Sequence, residues 1–305
     1  MFSQVVRSRK LFFACLRQIN GLITFVEQNA KVVDYFIYPK GFFLDYRECW
    51  FLKKRMQKLY ELYLSTGIPY ISSLTFQNSF FSDEGFDCFL EMLKGDTTIE
   101  RLRIVDNKPF NLPPTITSRD VDVVRFSPFC SALCSNHSVV DLEISNCSFR
   151  IGGLSNLVEV IEKNSTITSL SLTSCFIDKN VPDFPKFCQA LKSNTSITSL
   201  DLSGNFIRDA IFKFKEILRY NSSIVSLDLS MNEILLDGMK SIAGVLKDNS
   251  SLTELRLQNN PGYFSTPLNI YNNHGLLETS VREECLKAFA KAMENNSTII
   301  SLSFE

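Results

Sequence analysis

The sequence predicts an α/β repeat solenoid, with parallel strands on a concave face, helices on the convex face and a helical cap at the N-terminus. Two observations carry this. A phrase typified by Asn194-Thr195-Ser196-Ile197-Thr198-Ser199-Leu200-Asp201-Leu202-Ser203-Gly204-Asn205-Phe206-Ile207 returns along most of the chain. Its first apolar residue falls at Ile71, Ile99, Val139, Ile167, Ile197, Ile224, Leu252 and Ile299, at intervals of 28, 40, 28, 30, 27, 28 and 47 residues. Self-similarity at a short fixed period is the mark of stacked units. The second observation is a switch of hydrophobic period inside each unit, from two (Ile224-x-x-Leu227-x-Leu229) to that of a helix.

Residues 1–70 stand apart from the repeats. Val5–Gln28 and Leu44–Ser65 read as helices separated by Pro39-Lys40-Gly41, and a weak copy of the phrase starts at Val32, with Tyr35 and Ile37 in its strand positions. A stack of repeats leaves an open apolar end, and a helical cap over it is the expected role of this region. The basic run Lys53-Lys54-Arg55 reads as a solvated helix face.

Residues 71–305 hold about eight units. Counting back from the Asn that closes each helix, positions three, four and seven are apolar: Ile161, Val160 and Leu157; Leu191, Ala190 and Phe187; Leu218, Ile217 and Phe214. That spacing is one face of an α-helix. The position two before the Asn is charged (Glu162, Lys192, Arg219, Lys247, Glu294) and faces water. A strand and a helix repeated in fewer than 30 residues make neighbouring strands parallel. Helices about 10 Å wide outside strands about 4.8 Å apart bend the stack. Asn136, Asn164, Asn194, Asn221, Asn249 and Asn296 each head an Asn-x-Ser/Thr triplet. Their register with the repeat identifies them as helix endings, where Asn tolerates left-handed backbone, rather than glycan acceptors.

The phrase follows the pattern L-x-x-L-x-L-x-x-N/C, with Ser79, Asn107, Cys147, Cys175, Asn205, Asn232 and Asn260 at the last position. Residues 71–305 thereby resemble the ribonuclease inhibitor-like class of leucine-rich repeats. Ser251–Phe304 is also similar to the final repeats of tropomodulin. The resemblance implies a concave surface made by side chains between the strand leucines: Arg101 and Arg103, Asp141 and Glu143, then mostly Ser, Thr and Asp. It also implies a role in binding proteins.

Composition narrows the function further. The net charge is −1, from 32 basic and 33 acidic residues, which gives nucleic acid no electrostatic footing. No stretch of about 18 apolar residues predicts a membrane span. Nine cysteines without regular spacing point to a reducing compartment, read here as the cytoplasm. The histidines His137 and His274 assemble into no nucleophile–base constellation, and Cys130, Cys134 and His137 supply too few ligands for a metal. No enzymatic activity and no cofactor are expected.

Partner contacts are expected where the repeat is broken. Both long intervals expand the strand-to-helix loop, near 105–127 and near 261–280, so both insertions project from one rim. Phe110 and Arg119 in the first, and Tyr263, Phe264 and Tyr271 in the second, are the candidate contacts there. Arg101, Arg103, Asp141 and Glu143 are the candidates on the concave face. Cys134 occupies the water-facing position of its helix and is the candidate reactive thiol. The last strand, ending at Phe304-Glu305, offers an edge for self-association. The reading is a protein-interaction scaffold. The alternatives are a small-GTPase regulator, since Ran GTPase-activating protein has a similar fold, and an actin-filament pointed-end binder like tropomodulin.

Overall fold

The computed structural model describes residues 32–38, 41–47, 50–51, 71–77, 80–106, 123–147, 149, 153–178, 180–181, 183–261 and 275–304, the first three stretches by backbone alone. It opens with β1 (Val32–Tyr38), β2 (Gly41–Arg47) and β3 (Trp50–Phe51). Units then follow as β4 (Ile71–Gln77), β5 (Phe80–Phe81) and α1 (Asp83–Gly95); β6 (Arg101–Val105) and α2 (Val123–Ser135); β7 (Asp141–Ser145) and α3 (Gly153–Lys163); β8 (Ser169–Ser171) and α4 (Phe184–Ser193). The later units are β9 (Ser199–Asp201) and α5 (Ile211–Tyr220); β10 (Ser226–Asp228) and α6 (Leu236–Leu246); β11 (Glu254–Arg256) and α7 (Gly275–Met293); and finally β12 (Ser301–Ser303).

Ten strands form one sheet in the order β1-β2-β4-β6-β7-β8-β9-β10-β11-β12, and every pair from β2 onward is parallel. Leu102, Leu142, Leu170, Leu200, Leu227, Leu255 and Leu302 stand in one register across it. All but Leu302 are buried between the sheet and the helices. The early units fill this layer with rings: Phe76 meets Phe81 and Phe89 edge-on at 5.1 and 5.3 Å, and Phe126 lies 5.3 Å from Phe149. Side chains between the leucines project from the opposite, concave face.

The helix-ending asparagines rivet unit to unit. Asn164 Nδ2 donates to the carbonyls of Leu133 (2.8 Å) and Asn136 (3.0 Å) in the preceding unit, and its Oδ1 accepts from Thr166 N and Ile167 N, each at 2.9 Å. Asn136, Asn221 and Asn296 repeat all four bonds. At Asn194 and Asn249 a serine hydroxyl, of Ser196 or Ser251, reaches the second carbonyl instead. The left-handed conformation expected of these residues is absent: Asn194 (φ −69°, ψ 139°) and Asn221 (φ −76°, ψ 126°) are extended. The chain must leave the helix straight into a strand, so Asn is used for its amide and not for its backbone tolerance.

The N-terminal region departs from expectation as well. The helix predicted over Leu44–Ser65 starts instead as strand, β2 through Arg47 and then Trp50–Phe51. The weak repeat at Val32 does form a strand, but β1 runs antiparallel to β2, with Tyr38 opposite Gly41. Two intervening residues permit a hairpin, whereas a parallel pair needs a crossover of a dozen or more. It is β2 that joins the parallel ladder, against β4. Residues 1–31 and 52–70, with the helix Val5–Gln28 and the rest of Leu44–Ser65, lie outside the described residues.

Candidate functional site

Parallel register brings the four predicted concave residues together. Arg101 stands opposite Asp141 and Arg103 opposite Glu143. Arg101 Nε donates to Asp141 Oδ2 at 2.6 Å and Arg103 Nε to Glu143 Oε2 at 2.5 Å. The guanidinium groups stay nearly half exposed, at 49% and 45% of their side-chain surface. Ion pairs this open contribute about 0–1 kcal/mol to stability. Their value lies in the fixed pattern they present: two cations beside two anions, with planar guanidinium groups nearly half exposed on the concave face.

Beyond β7 the concave face becomes a network of hydroxyls and carboxylates. Asp201 accepts from the Thr173 hydroxyl at 3.1 Å and from Ser203 N at 2.8 Å, and Asp228 accepts from Ser230 N at 2.8 Å. At β11 a second charged cluster appears. Arg256 lies 2.6 Å from Glu254 and 3.7 Å from Asp228, and Glu254 also accepts from the Ser226 hydroxyl at 2.8 Å. The Ser226 bond and then Arg256 hold the Glu254 carboxyl below its usual range. The repeat pattern puts Arg256 between the strand leucines of this face, but the sequence did not single it out. Its signal was an Arg two residues from a Glu in a strand where other units carry Ser and Asp.

The strand-to-helix rim has its own regularity. The residue before the Asn/Cys position is left-handed in the six units from β6 to β11: Asp106 (φ 63°), Asn146 (54°), Ser174 (56°), Gly204 (68°), Met231 (56°) and Asn259 (55°). Gly, Asn and Asp suit that backbone, whereas a bulky side chain there is strained. Past this turn Phe176 and Phe206 lie with ring centroids 5.7 Å apart, and the Arg208 guanidinium sits 5.2 Å over Phe206. Arg208 also bonds Glu233 at 2.7 Å, the main cause of its raised pKa, with Asp178 adding to it. Met231 and Leu235 on the same rim are 58% and 62% exposed. None of these rim residues was singled out from sequence. The signal was visible as Met231 standing where the neighbouring units carry Gly204 and Asn259.

The candidates of the insertions, Phe110, Arg119, Tyr263, Phe264 and Tyr271, lie outside the described residues. Helix α2 begins at Val123 and α7 at Gly275, so the last residues of both expected insertions are helical. Cys134 is half-buried against α3, where desolvation first and then Glu159 raise its thiol pKa. That environment works against a thiolate, which is the nucleophilic form. Cys130, one turn earlier, is buried, and its pKa is raised further by burial. Among the described residues no helix is long and apolar enough to cross a membrane.

A sequence model described as leucine-rich repeat matches residues 193–211 and 220–243. These residues match leucine-rich repeats, and the same period and parallel ladder run through the other described units as an α/β solenoid. Among solved structures, the chain is similar to the second actin-binding site of leiomodin-1, at 23% identity over 48% of this chain and 76% of that one, with a TM-score of 0.39. It is similar to the tropomodulin C-terminal domain of Caenorhabditis elegans, at 14% identity over 55% and 93%, TM-score 0.37. It is also similar to an internalin of Listeria monocytogenes, at 18% identity over 76% and 47%, TM-score 0.40. No curated protein matches it by sequence.

Proposed function

We propose that this protein is a non-enzymatic interaction scaffold that binds a protein partner through the charged N-terminal part of its concave face and the adjoining rim. The observation that supports this is the pair of half-exposed ladders Arg101–Asp141 and Arg103–Glu143 on an otherwise small, polar sheet. They add little to stability, and solenoids of this kind use the concave surface for recognition. The insertion residues Phe110, Arg119, Tyr263, Phe264 and Tyr271 are assigned to the same partner, as is a cytoplasmic setting suited to the free thiols of the described residues. The test is affinity capture with the wild type and the Arg101→Ala/Arg103→Ala variant side by side, followed by titration of the captured protein. Loss of a saturable, stoichiometric partner from the variant supports the site. Equal affinity for both forms removes it.

The same preparation decides the other assignments. A regulator of a small GTPase accelerates GTP hydrolysis at catalytic amounts, and a pointed-end binder slows actin elongation from that end. Self-association through β12 shows as a concentration-dependent mass in light scattering, abolished by Leu302→Pro, which removes a strand N–H.

A further inference from the structure

The rim of the middle units carries more apolar surface than the fold requires. Phe206, Met231 and Leu235 follow one another across two adjacent units, with Phe176 against Phe206 in the unit before. Met231 is the telling residue. It points a long apolar side chain into water from a left-handed backbone position that Gly204 and Asn259 fill without strain in the neighbouring units. Strain retained at an exposed position points to function.

Charge then selects the occupant. Arg208 bonds Glu233 at 2.7 Å and has Asp178 beside it, so this cation is already matched. Asp209 and Asp237 are both exposed on the same rim. The described ridge is therefore apolar along its crest and acidic at its borders. An occupant that complements both has apolar residues on one side and Lys or Arg flanking them. Units spaced about 5 Å apart at the strands and about 10 Å at the helices put Phe206 one to two helical turns from Met231 and Leu235, and Phe176 extends the ridge by one more unit.

We propose that the ridge formed by Phe206, Met231 and Leu235 docks a basic amphipathic helix of a partner protein. This rests on the reading of the chain as an interaction scaffold and names the partner's chemistry at the rim. The helix lays its i, i+3, i+4, i+7 stripe on the crest, and its basic edges face Asp209 and Asp237.

The experiment is fluorescence anisotropy of the full chain with labelled, end-blocked Leu/Lys peptides of about 15 residues, long enough for some four turns. The controls are the same peptide with Glu for Lys and a scrambled Leu/Lys peptide. The amphipathic Lys peptide is expected to bind saturably, and the Glu and scrambled peptides at least about tenfold more weakly, a difference of about 1.4 kcal/mol. Met231→Asn keeps a residue suited to the left-handed turn, so it folds at least as well as wild type and isolates the side chain; it is expected to weaken binding about fivefold or more. Leu235→Ser acts in the same direction. Equal binding of the scrambled peptide, or no effect of both substitutions, overturns the proposal. So does a chain that dimerises through the ridge, with Met231→Asn restoring the monomer. Arg101→Ala/Arg103→Ala leaves peptide binding unchanged, so failure of the concave site and failure of the ridge are read separately.

Discussion

The two asparagine columns look alike in sequence and do different work. In the helix-end column no described Asn is left-handed, and each gives its amide to the preceding unit and takes two N–H groups of its own chain, as Asn221 does. In the strand-end column the roles are turned around. Asn205 Oδ1 accepts from Cys175 N and Ile177 N of the preceding unit, and its amide donates to Leu172 in that unit and to Leu202 in its own. Cysteine replaces Asn only in the second column. Cys175 Sγ donates to the Ile144 carbonyl at 3.1 Å, and Phe149 N turns to the Cys175 carbonyl instead of a side-chain oxygen. Backbone can take over the strand-end acceptor role. At the helix end a single planar group must face both units, so the acceptor-only carboxylate of Asp96 stands there only in the first described repeat, where it receives Ile99 N and the Ser138 hydroxyl.

The sharpest way to break this comparison is to remove one member of each column. Asn164→Leu leaves two carbonyls and two N–H groups without their side-chain partners, and is expected to cost about 3–4 kcal/mol in urea denaturation. Cys175→Ala deletes one weak donor and a small buried volume, for about 1–2 kcal/mol. Equal costs would show that the helix-end amide is no more demanding than the thiol. The six Asn-x-Ser/Thr triplets bear on this too, since Asn136, Asn164, Asn221 and Asn249 are buried with their amide nitrogens engaged.

The left-handed turn gives the next largest effects, of opposite sign at equivalent positions. A Cβ on Gly204 (φ 68°) would come 2.6 Å from Ser174 Oγ, so Gly204→Ala combines backbone strain with a clash and is expected to destabilise by about 1–2 kcal/mol. Met231→Asn relieves strain in the same turn one unit on. It is expected to stabilise by about 0.5–1 kcal/mol, or a few degrees in melting temperature. A destabilising Met231→Asn would show that the methionine is held by packing within the chain.

What the sequence revealed follows from the same division of labour. Period and pattern expose the buried side chains, so Leu142, Leu170 and Leu200, and the helix face of Ile161, Val160 and Leu157, were legible. The concave pairing Arg101–Asp141 and Arg103–Glu143 was half legible: the residues were chosen, but their mutual partnership depends on a register across a 40-residue interval. The rim was not read, because a positive φ at Met231 leaves no trace in hydrophobic period and shows only as a Met where the neighbouring units carry Gly204 and Asn259. The hairpin of β1 and β2 was lost for a different reason. Its dense aromatic residues fit a helix or a strand equally, and only the short separation between Tyr38 and Gly41 decides for an antiparallel pair.

The prediction with no pH-dependent effect at neutral pH concerns the thiols buried among the helices. Burial pushes Cys285 from its ordinary value of 9.0 to about 11 and Cys188 from 9.0 to about 12, with Lys240 and Lys213 respectively opposing the shift. A thiol whose folded pKa is raised stabilises the fold fully while both states are protonated, below about pH 9. As pH rises further the unfolded chain releases the proton first, so the contribution is lost between about 9 and the folded values of about 11 and 12. Lysines and tyrosines titrate in the same window, so the measurement is a difference. The stability gap between wild type and Cys188→Val is expected to be largest near neutral pH and to shift steadily against wild type above about pH 9. A gap independent of pH up to about 11 would mean that Cys188 is hydrated in the folded state, and that the helix layer packs less tightly than the strand leucines it covers.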